Sequence, residues 1–440
     1  EIKAIREWSE TVEIKIFPPG HYMTRNLEPQ RYYNPKWLEY DQLKVNYELG
    51  FDVMVKRVRD SLIQATEKRL MADVPFGTLL SGGLDSSLVA YELKNVLGQA
   101  NTFTNRMEPN YVHPKDGDHN EDADCAKVLA DTNKFNHTEV IVTPEIVKEY
   151  WDDSIYYMEQ PVYNPSMSMY CSTNKFLSNN GIIVTMAGDM GDEILAGYPK
   201  YWKMKNAKWL EKQIGKTKIE SWDDVLRLWL NRIKRPLQLT NNPISDDILI
   251  KEFRKCYSGE LWNPDDPIGS HMALDCVAQV PEEMFSRNDK YGMAYSMEGR
   301  FPLATKMFMQ YCLSMHTDLK LGPSKNDTKI FIKKAYAGKL PTAIINKLKT
   351  GWTVPVGHWL NTSTSTKLTK FYKDRTGEKS ELDITKASQK AGKALIPAWI
   401  VSDWIKKYSM NRYIKYRYHE NKSHYIIQTR HLERVCQESS

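Results

Sequence analysis

Val74-Pro75-Phe76-Gly77-Thr78-Leu79-Leu80-Ser81-Gly82-Gly83-Leu84-Asp85-Ser86-Ser87 is the stretch on which the reading of this chain turns. The largely apolar run from Val74 to Leu80 has the length and composition of a buried strand. It ends in a glycine turn, and Ser86 to Leu97 continues as a helix with Leu93, Val96 and Leu97 on one face and Gly98 as its stop. Gly82 and Gly83 carry no Cβ, so the backbone can close on a polyphosphate. Ser81, Ser86 and Ser87 add hydroxyl donors, and the helix turns its amino end, with free N–H groups, toward the anion. Asp85 would repel bare phosphate; it makes sense as a ligand of Mg²⁺, which takes one or two carboxylates together with phosphate oxygens. The bland alternative is an ordinary strand–turn–helix connection, but the chemically coherent run of serines, glycines and aspartate favours a nucleotide site. GxxxxGK[ST] is absent, so this is not a Walker loop.

Outward from this loop, Val53, Val55, Val58, Leu62 and Ala65 recur at helical spacing within residues 41–71. Strands are expected at Thr102–Asn105, Glu139–Val142 and Ile182–Met186, with a helix over about 121–131 between the first two. The strand ending at Met186 runs into a second glycine-containing turn, Ala187-Gly188-Asp189-Met190-Gly191-Asp192-Glu193. Strands alternating with helices predict an α/β fold, a doubly wound parallel sheet, and residues from about 200 onward read as largely helical. Ligands of such sheets bind beyond the carboxyl ends of the strands, where both glycine turns fall.

The chain has 440 residues, 41% of them apolar and 26% charged, a globular profile with no run of about 18 apolar residues that would span a membrane. Net charge is +6, too mild to call for nucleic acid by itself. Cysteines stand at 125, 171, 256, 276, 312 and 436 with no CxxC pair, as expected of a reduced cytoplasmic protein without a structural zinc. The basic, Tyr-rich stretch 405–434 fits a solvated helix face better than a nucleic-acid surface, although Tyr and Lys together can track single strands.

The Ser81–Ser87 loop resembles the PP-loop of ATP pyrophosphatases, the adenine nucleotide alpha-hydrolase type, which cut ATP between the α- and β-phosphates. The second turn narrows the resemblance. Gly188-Asp189-Met190-Gly191-Asp192-Glu193-Ile194-Leu195-Ala196-Gly197-Tyr198 is similar to the Ser-Gly-Glu-Gly-Ser-Asp-Glu-Leu-Phe-Gly-Gly-Tyr signature of glutamine-hydrolysing asparagine synthetases. Asn288-Asp289-Lys290 through Arg300-Phe301-Pro302, and Lys349-Thr350-Gly351-Trp352 through Pro355 and Trp359, resemble two further segments of that family.

The resemblance implies ATP and Mg²⁺ as cofactors. Asp192 would join Asp85 on the metal; Ala187 and Gly188 would grip the nucleotide with their backbone; Leu80 and Asn105 would line the adenine pocket. Lys349 would lie over the phosphates, Asp189 would stand in for the family's catalytic glutamate, and Asp289 and Arg300 would contact substrate or form a structural ion pair. The implied reaction is attack of a carboxylate on the α-phosphorus of ATP, then transfer of the acyl group from AMP to nitrogen, with aspartate, ammonia or glutamine, and asparagine as the small molecules concerned.

Three domains are expected: 1–40, similar to the end of a glutaminase domain; 41–360, the synthetase domain; and 361–440, a helical basic extension. No cysteine opens the chain, so glutamine hydrolysis is expected to need an upstream glutaminase segment or partner. A homodimer is left open. Departures gather near the acyl pocket: Asp189 for Glu shortens reach by one methylene, about 1.5 Å, and Met190-Gly191 replaces Gly-Ser. A related amide-forming enzyme that uses another acid or amine, such as a lactam-forming or lasso-peptide cyclase, therefore stays open, as does a non-catalytic RNA-binding role for 405–434.

Overall fold

The computed structural model describes residues 17–25, 28–33, 50–108, 120–159, 164, 166–231, 245–257 and 259–349. The expected strand before Pro18 falls almost wholly outside these residues. The 361–440 extension, the basic stretch 405–434, and Gly351, Trp352, Pro355 and Trp359 all lie outside them.

A short antiparallel hairpin, β1 (His21–Tyr22) and β2 (Gln30–Arg31), precedes the main body. The body is built on five parallel strands: β3 (Phe76–Leu79), β4 (Asn101–Met107), β5 (Asn136–Val142), β6 (Val184–Met186) and β7 (Glu298–Arg300). Their order is β5-β4-β3-β6-β7, so the chain winds outward from β3 in one direction and then in the other. Thr78 of β3 pairs with Thr102 of β4 on one side and with Met186 of β6 on the other. This is the doubly wound α/β sheet that the alternating strands and helices called for. The switch point lies at β3, where the connections leave in opposite directions and open a crevice at the carboxyl ends. The two glycine turns follow β3 and β6, which are neighbours, so the topology alone brings them together.

The helix Phe51–Glu67 buries Met54, Val58, Leu62 and Ala65, a stripe at i, i+4, i+8 and i+11. Val53, expected on that stripe, is 44% exposed, because Met54 supplies the first buried turn and Val53 is rotated away by about 100°. The helix after the loop begins at Leu84 and ends at Leu97, with Gly98 left-handed at φ 78° as its stop. The edge strand β7 was not foreseen: Glu298-Gly299-Arg300 has neither alternation nor apolar length, and β6 supplies its pairing.

The remainder is helical. Ser221, Ser245 and Asp266 cap the helices Trp222–Leu230, Asp246–Cys256 and Pro267–Val277 by accepting backbone N–H bonds. The last of these is buried nearly throughout and packs on the short helix Gly191–Ile194. Its Asp275 accepts from Tyr201 Oη at 2.7 Å and Trp229 Nε1 at 3.1 Å, and pairs with Lys200. A buried carboxylate satisfied by several donors is a rigid anchor, and here it fixes the chain just after the second glycine turn. Among the described residues no helix is long and apolar enough to cross a membrane.

Candidate active site

The first glycine turn is closed by its own hydroxyls. Ser86 Oγ accepts from the Ser81 N–H at 3.1 Å and lies 3.0 Å from Ser81 Oγ, and Ser87 Oγ donates to the Gly83 carbonyl at 2.7 Å. The turn is thereby set before any ligand arrives. Gly82 backs onto the Asp122 carbonyl of the helix Glu121–Asn133. Leu80 is buried directly below, its N–H bonded to the Phe103 carbonyl at 2.8 Å. Asn105, on β4, is buried and accepts from Thr173 Oγ1 at 2.8 Å.

The second turn lies against the first, backbone to backbone. A Cβ on Gly188 would sit 2.5 Å from Asp85 C and Ser86 N, and one on Gly191 would sit 2.4 Å from Asp85 Cγ. Only glycine allows this approach. Gly191→Ala is therefore expected to push the Asp85 carboxylate out of place. An overpacking cost of about 1–3 kcal/mol, taken from ATP binding, weakens it by roughly ten- to a hundredfold, as a calorimetric titration with ATP would show; unchanged affinity would mean that Asp85 is not part of the nucleotide site. Ala187 N–H is held by the Arg300 carbonyl at 3.1 Å.

Where the turns meet, two carboxylates and two ammonium groups alternate. Lys329 Nζ lies 2.6 Å from both oxygens of Asp85 and 2.7 Å from Asp192 Oδ1, and Lys349 Nζ lies 2.8 Å from Asp192 Oδ2. Burial alone would raise the Asp192 carboxyl; Lys329 and Lys349 outweigh it and hold Asp192 well below the usual carboxylate range. The Asp192 carboxylate in turn holds Lys349 charged, above the ordinary lysine range. Burial would discharge Lys329, but Asp192 and Asp85 keep it protonated.

Two hard oxygen donors converge on one cation, the ammonium of Lys329. That donor set suits Mg²⁺, which needs one or two carboxylates beside phosphate oxygens. Among the described residues no group of three or more His, Cys, Asp or Glu could hold a metal alone, so the remaining ligands would have to come from the substrate. The arm that carries Lys349 is tied down two residues earlier, where Lys347 Nζ lies 2.9 Å from Asp122 Oδ1 and 3.5 Å from Glu121 Oε1.

Lys329 was missed in the reading of the sequence. It stands among Lys325, Lys333 and Lys334, and only its left-handed backbone, φ 57°, and its burial set it apart. Asp189 lies half-buried beside the cluster. Burial raises its carboxyl, against the pull of Arg287 and of Asn288, whose Nδ2 donates to Asp189 Oδ1 at 3.3 Å.

Asp289 and Arg300 each carry the expectation of a substrate contact or a structural ion pair. Asp289 is exposed; Asn288 and Arg287, one and two positions back on the same helix, are the buried members of that segment. Arg300 spends its guanidinium on the carbonyls of Arg69 at 2.6 Å and Met71 at 3.0 Å and on Glu298 at 2.8 Å, fastening the chain after the helix Phe51–Glu67 to β7. The backbone of Arg300 supports the second turn; its side chain is structural.

The asparagine synthase family model matches residues 57–412. This chain belongs to the asparagine synthase family. Among curated proteins it is 24% identical over 338 residues to asparagine synthetase [glutamine-hydrolyzing] 1 of Bacillus subtilis (strain 168), covering 70% of this chain and 51% of that one. It is 32% identical over 236 residues to asparagine synthetase [glutamine-hydrolyzing] of Zea mays, covering 52% of this chain and 38% of that one. The chain thus spans about half the length of the first relative and less of the second. Among solved structures, an NH3-dependent NAD synthetase from Campylobacter jejuni aligns with 49% of this chain and 98% of its own at 14% identity, with a TM-score of 0.23.

Against the asparagine synthase signature, the geometry gives the departures a physical content. Met190 and Ala196 stand where that pattern has glycine, and both keep a left-handed backbone, φ 77° and 59°. A side chain there costs about 1–2 kcal/mol per residue, so the turn retains its shape against local preference. Both side chains are fully buried, which offsets the strain. Gly191, where the pattern has Ser, is the residue that lets Asp85 approach.

Proposed function

We propose that this chain activates a carboxylic acid with ATP, releasing pyrophosphate and forming an acyl-AMP, and then transfers the acyl group to nitrogen. Aspartate is the acid and asparagine the product, with ammonia, free or released from glutamine elsewhere, as the nitrogen source. The observation that carries this reading is the alternating array Asp85–Lys329–Asp192–Lys349 at the carboxyl ends of β3 and β6.

The chemistry follows from those side chains. A substrate carboxylate oxygen forms a bond to the α-phosphorus while the bond to the bridging oxygen of pyrophosphate breaks. Negative charge gathers on the leaving group, and Lys329 and Lys349, fixed and charged beforehand, lie where they can receive it without reorganisation. The backbone N–H groups at the start of the helix Leu84–Leu97 add to the same field. Mg²⁺ held by Asp85, Asp192 and phosphate oxygens would supply further neutralisation of that charge. In the second step an amine nitrogen bonds to the acyl carbon, AMP leaves with the electron pair, and the proton shed by nitrogen passes to a base. Asp189 suits that role: half-buried, with its carboxyl raised, and oriented by Asn288.

Incubation with ATP, Mg²⁺, aspartate and ammonium is expected to give asparagine, AMP and pyrophosphate in equal amounts. Lack of aspartate-dependent pyrophosphate release would refute aspartate as the acid. A second reading, the same chemistry on another acid or amine, is favoured specifically by Asp189 in place of glutamate and by Met190-Gly191 beside it. Pyrophosphate release with a different acid in a substrate panel would establish it.

A further inference from the structure

Lys329 is held at its head by two carboxylates, and the reach of that head is set by the backbone that carries it. Lys329 stands immediately before the short helix Ile330–Ala335, and Tyr336 immediately after it. Asp85 lies in the first turn of the helix Leu84–Leu97, and Glu92 follows it by seven residues, about two turns. Tyr336 follows Lys329 by the same seven residues. The two segments are joined at both ends. At the phosphate end Lys329 Nζ lies 2.6 Å from Asp85. At the far end stands a second buried polar group, centred on Glu92.

Glu92 is fully buried and accepts from Arg59 Nε at 3.3 Å and from Asn95 Nδ2 at 3.0 Å. Arg59 belongs to the helix Phe51–Glu67, which packs against both of the others. Its guanidinium lies 5.9 Å from the centre of the buried Tyr336 ring, which also meets Tyr91 edge-on with centres 6.1 Å apart. Burial, and then the charge of the neighbouring Glu92 carboxylate, raises the Tyr336 hydroxyl.

A carboxylate at this depth is a poor source of stability, because pairing seldom repays its desolvation and an apolar side chain of the same volume does as well or better. What it can supply is register. Apolar faces tolerate small slips, whereas the Glu92 carboxylate meets Arg59 and Tyr336 in one arrangement. The largely exposed pair Lys334–Asp52, at 2.6 Å, ties the same helices, but pairs in solvent hold little. Precision matters at the other end, where a misplacement of about 1 Å can cost on the order of a hundredfold in rate. We infer that Glu92, through Arg59 and Tyr336, is a positioning residue that sets the register of Lys329 against Asp85, and with it the rate of ATP cleavage. This rests on the reading of the Asp85–Lys329–Asp192–Lys349 array as the activating centre.

The test is exchange of pyrophosphate into ATP by the full chain with aspartate as the acid, with melting temperatures measured alongside. Glu92→Leu removes the buried charge and fills its volume, and Arg59, with a side chain 30% exposed, can turn to water. The variant is expected to melt no lower than the wild type. It should nevertheless lose about tenfold in kcat, with KM for ATP and aspartate within about threefold, because the contact displaced is one made to the leaving group in the transition state. Glu92→Gln, which keeps the shape and one acceptor, is expected to fall between. Combined with Lys329→Met, either Glu92 variant should lose no more than Lys329→Met alone, within about twofold, since the register acts only through that lysine; a general structural role would multiply the two losses. Unchanged kcat in Glu92→Leu, or multiplied losses in the double variants, would overturn the assignment. Should Glu92→Leu fail to fold, Glu92→Gln carries the same comparison. Exchange by Lys329→Met within a few-fold of the wild type would instead overturn the array reading, and this inference with it.

Discussion

Asp192→Asn is expected to lower acid-dependent ATP–pyrophosphate exchange by at least about a hundredfold, the scale on which single preorganised electrostatic groups act. The effect is large because Asp192 does two jobs at one point. Its oxygens hold Lys329 at 2.7 Å and Lys349 at 2.8 Å, and its charge keeps both ammonium groups protonated. The neutral amide keeps the shape and loses the charge. The buried Lys329 and the partly exposed Lys349 would then share Asp85 alone, an imbalance of the kind that costs up to roughly 3–5 kcal/mol when one partner of a buried pair is removed. The ligand-free variant should therefore melt well below the wild type. ATP brings negative charge to the same point, so adding it should restore more of the melting temperature in the variant than it adds to the wild type. A variant that retained exchange within a few-fold of wild type would sink the array as the activating centre. Lys329→Met, which removes the shared cation, should lose exchange on the same scale and also melt below the wild type, since it leaves Lys349 opposite two carboxylates, but here ATP, which adds negative charge, should not restore the loss.

How much of this was legible beforehand depended on whether the signal was local. The strand β3, its glycine turn and the helix Leu84–Leu97 were readable because apolar length, turn chemistry and a glycine stop occur in sequence, and all three act within a few residues. The neighbouring position of the second turn was readable because parallel connections constrain where strand ends lie. Lys329 was not, because its meaning is tertiary: a lysine in a lysine-rich segment becomes a bridge only when folding buries it between Asp85 and Asp192. Arg300 and Asp289 show the converse. Motif position indicated the site, but side-chain direction is set by packing: Arg300 points to the carbonyls of Arg69 and Met71, and on a helix that turns about 100° per residue the burial fell to Arg287 and Asn288 rather than Asp289. β7 was invisible for a related reason, since a three-residue edge strand draws its conformation from its neighbour.

The second large effect concerns stability, and lies away from the nucleotide. Lys320→Met is expected to stabilise the protein at neutral pH by on the order of 3 kcal/mol. Lys320 is fully buried, and its Nζ has no hydrogen-bond partner among the described residues. The nearest acid, Asp266, has its oxygens committed: they accept from the Gly269 N–H at 2.9 Å, the Thr317 N–H at 2.9 Å and Thr317 Oγ1 at 2.6 Å. Burial pushes the Lys320 ammonium down from 10.5 to about 8, against the partial support of Asp266 and of the Cys312 and Cys276 thiols. The folded state thus binds the proton less tightly than the unfolded chain does. Below about pH 8 both states carry it and the full penalty is present; between about 8 and 10.5 the folded protein sheds it first, and stability rises with pH. Methionine has a similar length and no charge to desolvate, so the variant should lack that rise. Urea denaturation at pH 7 and pH 9.5 measures both claims, with other titrating groups cancelling between the two proteins. Parallel pH dependences would show that the Lys320 ammonium finds compensation in the fold. A flat difference near zero at pH 7 would show that burial there costs nothing. Lys320 also lends its carbonyl to the Ile330 N–H at 3.2 Å, next to Lys329, a backbone bond that the methionine variant keeps. Exchange activity should therefore survive the substitution even as the stability rises, which separates the core lysine from the catalytic one nine residues on.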